Sequence, residues 1–189
     1  MTYFKQLHEL STYDPHVEIQ KMGLDWGDSK QVCVNSPFPD SHDYQVGTGS
    51  LQYDWANSKQ VVQFDGTMKW EVPLHETQHC ENDFKYLIKE FEGTVLGEMY
   101  NELLSRFVLG RVRLMRSEPK TCLSWHKDTS PRIHYPIKTQ PGCLMVIGDE
   151  VKHLPTDTWW MTDTTYNHTA MNASKETRIH LVAVVLGTL

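Results

Sequence analysis

Residues 111–186 read RVRLMRSEPKTCLSWHKDTSPRIHYPIKTQPGCLMVIGDEVKHLPTDTWWMTDTTYNHTAMNASKETRIHLVAVVL, a succession of short β-branched and apolar runs separated by turn formers. The pattern predicts strands over 111–117, 121–128, 132–139, 143–151, 158–163, 166–171 and 177–186. So many strands with no helix between them require a closed or two-sheet antiparallel structure such as a jelly roll or cupin. Any chemistry then belongs between the sheets.

Upstream the period changes. Phe84, Leu87, Ile88, Phe91, Val95, Met99, Leu103 and Phe107 recur at three and four, which predicts one long packing helix over 82–109, capped by Asn82 or Asp83 and followed by Gly110. Residues 1–80 read as an irregular α/β extension rich in turn formers, with Pro37, Pro39 and Gly47-Thr48-Gly49. Within it, runs 61–64 and 67–72 flank Asp65-Gly66 and predict a hairpin with a type I′ turn. The 189 residues form one domain: the extension, the helix and a β core over 111–187.

With 18 Lys+Arg against 24 Asp+Glu, the net charge of -6 gives no overall positive field to attract nucleic acid or anionic lipid. The N-terminus lacks a basic start and apolar stretch, and the longest apolar run, 181–187, is far below the ~18 residues of a membrane span. Cys33, Cys80, Cys122 and Cys143 are scattered without a CxxC, as expected for reduced thiols. The expectation is a cytoplasmic protein with no membrane partner.

His126-Lys127-Asp128 ends a predicted strand, where positions i and i+2 share a face and can hold one ion. His16-Val17-Glu18 and His79-Cys80-Glu81 have the same spacing without that context. His168, on another predicted strand, can complete a set of two His and one carboxylate. That set leaves three positions open on a divalent ion, as in non-haem Fe(II) oxygenases, for a chelating co-substrate and O2. Arg178 begins the last strand, ten residues after His168, where a guanidinium can grip the distal carboxylate of a small dicarboxylate such as 2-oxoglutarate.

Trp125-His126-Lys127-Asp128, Arg132-Ile133-His134-Tyr135-Pro136-Ile137, Asn167-His168-Thr169-Ala170-Met171-Asn172 and Arg178-Ile179-His180-Leu181 together resemble the aspartyl/asparaginyl β-hydroxylase-type family of Fe(II)/2-oxoglutarate dioxygenases and its relatives that hydroxylate free proline. The resemblance covers about 111–186 and implies a mainly β (α+β) fold with a double-stranded β-helix core. It implies His126, Asp128 and His168 as iron ligands, Arg178 as the partner of the distal carboxylate, and Arg132 and His134 as a pair lining the co-substrate and substrate pocket. The implied reaction couples decarboxylation of 2-oxoglutarate, to succinate and CO2, with hydroxylation of an unactivated C–H of an amino acid or amino-acid side chain. The family's peptidyl-aspartate enzymes of the endoplasmic reticulum carry glycine where this chain has Asp128, so the full triad resembles the bacterial branch.

Three other readings compete. His75-Glu76-Thr77-Gln78-His79 matches the zinc-peptidase HExxH, which needs a helix, whereas Pro73 and Asn82 frame it as a connection. Nucleic-acid demethylases of the same superfamily carry a second Arg after the first, and no Arg or Lys follows Arg178. A metal-binding cupin without turnover would give Arg178 no role. Of Trp125, Trp159 and Trp160, at least two are expected in the core. Arg111, Arg113 and Arg116 read as a solvated edge strand, although one of them could meet an acidic substrate, and His153 and His180 read as structural or solvated.

Overall fold

The computed structural model describes residues 2–76 and 78–189. In chain order its elements are β1 (Phe4–Gln6), α1 (His16–Met22), β2 (Gln31–Cys33), β3 (Asn35–Ser36), β4 (Lys59–Val62), β5 (Met68–Glu71), β6 (Tyr86–Leu87) and α2 (Val95–Leu104). There follow β7 (Phe107–Ser117), β8 (Thr121–Cys122), β9 (Arg132–Lys138), β10 (Cys143–Ile147), β11 (Glu150–Lys152), β12 (Trp160–Thr162), β13 (His168–Asn172) and β14 (Arg178–Thr188). One sheet runs β1-β12-β9-β14-β7-β2 and a second β11-β10-β13-β8, and their pairings are antiparallel. From β7 onward the chain passes between the two sheets, first, second, first, second, second, first, second, first. That order is the double-stranded β-helix, so the fold is mainly β with a jelly-roll core, as the strand count implied.

Strand parity divides the larger sheet into two unlike faces. Leu181, Ala183 and Val185 of β14, Val112 and Leu114 of β7, and Ile133, Tyr135 and Ile137 of β9 join one apolar cluster. Leu96, Met99, Tyr100 and Leu103 of α2 and Leu7, Leu10 and Ile19 of the extension complete it. The alternate positions, Arg111, Arg113, Arg132, His134, Arg178 and His180, are buried as well although polar or charged. They line the opposite face, toward the second sheet.

The helix is shorter than its periodicity predicts. It occupies Val95–Leu104, not 82–109. Asn35 donates from Nδ2 to the carbonyls of Phe84 and Gly110, both at 2.9 Å, so the Phe84 carbonyl serves a β3–β6 junction rather than a helix. Gly93 then takes a left-handed φ of 71°, Thr94 caps α2 through Gly97 N, and Glu18 accepts the amides of Val95 and Leu96. Phe84, Ile88 and Phe91 are buried all the same, from 3-10 and extended backbone, and Phe107 already belongs to β7.

The hairpin forms between β4 and β5, but not through a type I′ turn. Gly66 N donates to Gln63 O at 2.9 Å and Gly66, not Asp65, has the positive φ, so the loop is a type I turn closed by a glycine bulge. The predicted 121–128 strand is ladder-paired as β8 only at Thr121–Cys122, and 143–151 bends at Gly148 into β10 and β11. β7 is not an edge strand: β14 and β2 flank it. Trp159 is buried, Trp160 is half-buried against Phe4, Met145, Ile147 and Leu154, and Trp125 is exposed.

Candidate metal centre and anion pocket

His126 and His168 face each other as an antiparallel pair, His126 N donating to His168 O at 3.1 Å and His168 N to His126 O at 2.9 Å. Opposed residues of such a pair share a face, and the two rings lie 4.2 Å apart, centroid to centroid. Asp128 is set by its own amide, which donates to Thr164 O at 2.9 Å. One ligand atom from each of His126, Asp128 and His168 lies within 4.8 Å of the others.

The tautomers follow from neighbouring carbonyls. His126 Nδ1 is 2.8 Å from Ser124 O and His168 Nδ1 is 3.0 Å from Tyr166 O. A carbonyl only accepts, so each Nδ1 carries the proton and each Nε2 lone pair is free for a metal. Burial lowers the pKa of His168, which favours this neutral, ligating form. Asp128 receives Arg132 Nη2 at Oδ1, 3.2 Å away, while Oδ2 lies 3.6 Å from His168 Nε2. Arg132 is itself anchored, Nη1 donating to Ser130 O at 2.8 Å and to Ser130 Oγ at 2.7 Å. Two imidazole nitrogens and one oriented carboxylate are a donor set that would suit a divalent ion such as Fe(II).

On the same interior face lies a group of buried side chains without partners. Arg178 is 8% exposed, and among the described residues nothing accepts from its Nε. Both ring nitrogens of His134 and both of His180 are likewise unpartnered and buried. Burial, reinforced by Arg178, Arg132 and His168, pushes His134 down to about 3. Burial, then Arg178, His134 and His153, holds His180 well below the ordinary value. The two rings meet edge to face at 5.8 Å. An unpaired buried guanidinium beside two neutral imidazoles costs stability unless an anion accepts from them, since native interiors rarely leave such atoms idle.

His180, read from the sequence as structural or solvated, is buried beside His134, a placement signalled by its parity with Arg178 two positions earlier. His153 does have a partner, with Nδ1 at 3.0 Å from Cys143 O. The described residues of the HExxH stretch are not helical: His75 Nε2 lies 3.1 Å from Ser50 O, and His79 meets Phe38 and Phe84 edge to face. Thr77 lies outside the described residues. Two surface concavities, around Glu18 and Lys21 and around Trp26 and Ile179, include no triad residue.

With this geometry in view, comparison with known proteins adds a family. Residues 94–186 match the aspartyl/asparaginyl β-hydroxylase family. The match bears out the resemblance read from the four motifs and extends it upstream to Thr94, so that the matched region takes in α2 as well as the jelly roll. Two solved structures are similar over part of the chain. A cupin domain from Bordetella pertussis Tohama I shows 18% identity and a TM-score of 0.36 over 42% of this chain and 81% of that one. An oxidoreductase of the 2OG-Fe(II) oxygenase family from Burkholderia pseudomallei shows 12% identity and a TM-score of 0.38 over 50% of this chain and 53% of that one, so the chain spans about half its length. No curated protein matches the chain. No helix among the described residues is long and apolar enough to cross a membrane.

Proposed function

We propose that this protein is an Fe(II)- and 2-oxoglutarate-dependent dioxygenase that hydroxylates an unactivated C–H of an amino acid or amino-acid side chain, with succinate and CO2 as co-products. The observation that carries this reading is the pairing of a two-His, one-carboxylate cluster with a buried, unpartnered Arg178 on one interior face. The β-hydroxylase match over 94–186 supports an oxygenase-type activity.

In this reading His126, Asp128 and His168 hold the iron, and when bound the iron supplies the activation of O2 that side chains cannot provide. Arg132 keeps Asp128 pointed at the other two ligands by holding Oδ1, which leaves Oδ2 on the His168 side. Arg178 takes the distal carboxylate of 2-oxoglutarate with a bidentate guanidinium edge. His134 and His180, kept neutral by burial, offer N–H donors without adding charge. Burial of Arg178, His134 and His180 in the sheet interior strengthens the contacts they make. The substrate is a small-molecule or amino-acid or peptide partner, neither nucleic acid nor membrane, met in the cytoplasm.

The test is succinate formation. Purified protein with Fe(II), 2-oxoglutarate and O2, screened against free amino acids and peptides, should release succinate; His168→Ala should abolish it and Arg178→Ala should reduce it at limiting 2-oxoglutarate. Absence of succinate under every condition, with the metal bound, would instead favour a cupin that binds metal without turnover.

A further inference from the structure

Arg111 and Arg113 lie on the same interior face of β7 yet are treated differently by their surroundings. Arg111 is saturated: Nε and Nη2 grip Glu81, the shortest contact being Nη2 to Oε1 at 2.8 Å, and Nη1 donates to Gly47 O at 2.8 Å and Gly49 O at 2.9 Å. Burial raises the Glu81 carboxyl, but hydrogen bonds and charge from Arg111 outweigh it and leave the net pKa lowered. Arg113, at 7% exposure, has only neutral partners, with Nη1 donating to Gln31 Oε1 at 2.9 Å and to Gly49 O at 3.5 Å. Its Nε is buried and unpartnered, and among the described residues no carboxylate pairs with it. The Nε–Nη2 edge, which can grip a carboxylate by two parallel hydrogen bonds, donates to no acceptor among the described residues.

The sheet register places that edge. Val182 of β14 is opposite Arg113 on one side and His134 on the other, so the three form one row across the interior face. Arg132, which holds Asp128, is two residues from His134 on the same face. Burial first, and the like charge of Arg111 second, lower the Arg113 pKa to about 9, and Arg132 adds to this. A buried cation with a vacant fork in that row needs an anion. Asp128 is held by Arg132, Glu81 is spent on Arg111, and the distal carboxylate of 2-oxoglutarate is assigned to Arg178. The substrate remains.

We propose that the Nε–Nη2 edge of Arg113 binds a carboxylate of the hydroxylated substrate, so that the substrate is a free amino acid or another small carboxylic acid. The proposal rests on the dioxygenase reading above, which supplies the co-substrate at Arg178. The test uses the full chain with Mn(II) and 2-oxoglutarate bound, titrated calorimetrically with each of the twenty free amino acids, small mono- and dicarboxylic acids, and the amides of any that bind. At least one acid should bind the wild type, its amide at least tenfold more weakly. Arg113→Gln should weaken the acid at least tenfold, Arg113→Lys should fall between, and both should keep Mn(II) and 2-oxoglutarate affinity. Arg116→Gln, a change on the opposite face where Arg116 lies over Trp26, should bind as the wild type does. Equal acid affinity in wild type and both Arg113 variants overturns the assignment, as does equal binding of acid and amide, or no binding acid at all. A loss of 2-oxoglutarate affinity in Arg113→Gln overturns it too, by placing Arg113 in the co-substrate site. Failure of the wild type to bind 2-oxoglutarate overturns the parent reading, and with it this one.

Discussion

At the scale of single residues, the candidate metal centre is shaped by backbone carbonyls as well as by its three candidate ligands. Ser124 O and Tyr166 O fix the Nδ1 protons, which leaves both Nε2 lone pairs free, that of His168 3.6 Å from Asp128 Oδ2. Replacing His126, Asp128 or His168 by Ala should each remove most Mn(II) affinity, read by calorimetry. His75→Ala and His79→Ala should leave it intact, and metal loss in either would revive the peptidase reading. The buried imidazoles predict a pH effect as well. An unfolded His takes up its proton near 6.5, whereas folded His134 does so only at about 3. Between these values the unfolded chain binds more protons, so this stability is present above the unfolded pKa and is lost as pH falls below 6.5. The slope reaches about 1.4 kcal/mol per pH unit for each such histidine. Urea unfolding of the metal-free protein at pH 7.5 and 5.5 should show it, and His180→Asn should reduce the pH dependence. An unchanged dependence in that variant would place His180 in contact with water.

At the scale of elements, the pattern of residues told strand from helix more reliably than it told where a helix begins. The β core over 111–186 was legible because alternation and turn residues agree, and Arg178 and His168 fell on strands where expected, whereas His126 sits beyond β8 on an isolated bridge to His168. Helical spacing over 84–91 was misleading, because Asn35 takes the Phe84 carbonyl and Gly93 turns left-handed, and neither tertiary hydrogen bonds nor φ can be read from spacing. The basic residues of β7 looked solvated for the same reason: strand order, which puts β7 between β14 and β2, is not local information. Two stability predictions separate α2 from the hairpin. Leu103 of α2 is fully buried in the main cluster, so Leu103→Ala should cost about 2–5 kcal/mol in denaturant unfolding. Of the hairpin side chains, all of β5 and all but Val61 of β4 are exposed. Replacing 59–71 by a short Gly-Ser linker should therefore leave the midpoint and Mn(II) affinity unchanged, whereas a large loss would mean the hairpin packs on the core.

At the scale of the whole molecule, the two faces of the larger sheet carry separate tasks. One face is closed by α2 and the N-terminal extension into an apolar cluster whose burial supplies the stability, and this lets the other face hold polar groups that weaken the fold when empty. The jelly roll brings β13 of the second sheet over that polar face, and His168 comes with it. Metal cluster and unpaired Arg178 thus share one interior, and the account stands on their acting together on one dicarboxylate. The most direct measurement is calorimetric titration of 2-oxoglutarate into the Mn(II)-loaded wild type, Arg178→Ala and Arg178→Lys. The wild type should bind with one site, and the Ala variant should lose about 1.5–3 kcal/mol, roughly ten- to a hundredfold. The Lys variant should recover only part, since a point charge replaces a two-pronged fork. Equal affinity in all three proteins, or 2-oxoglutarate binding that ignores the metal, would contradict the account.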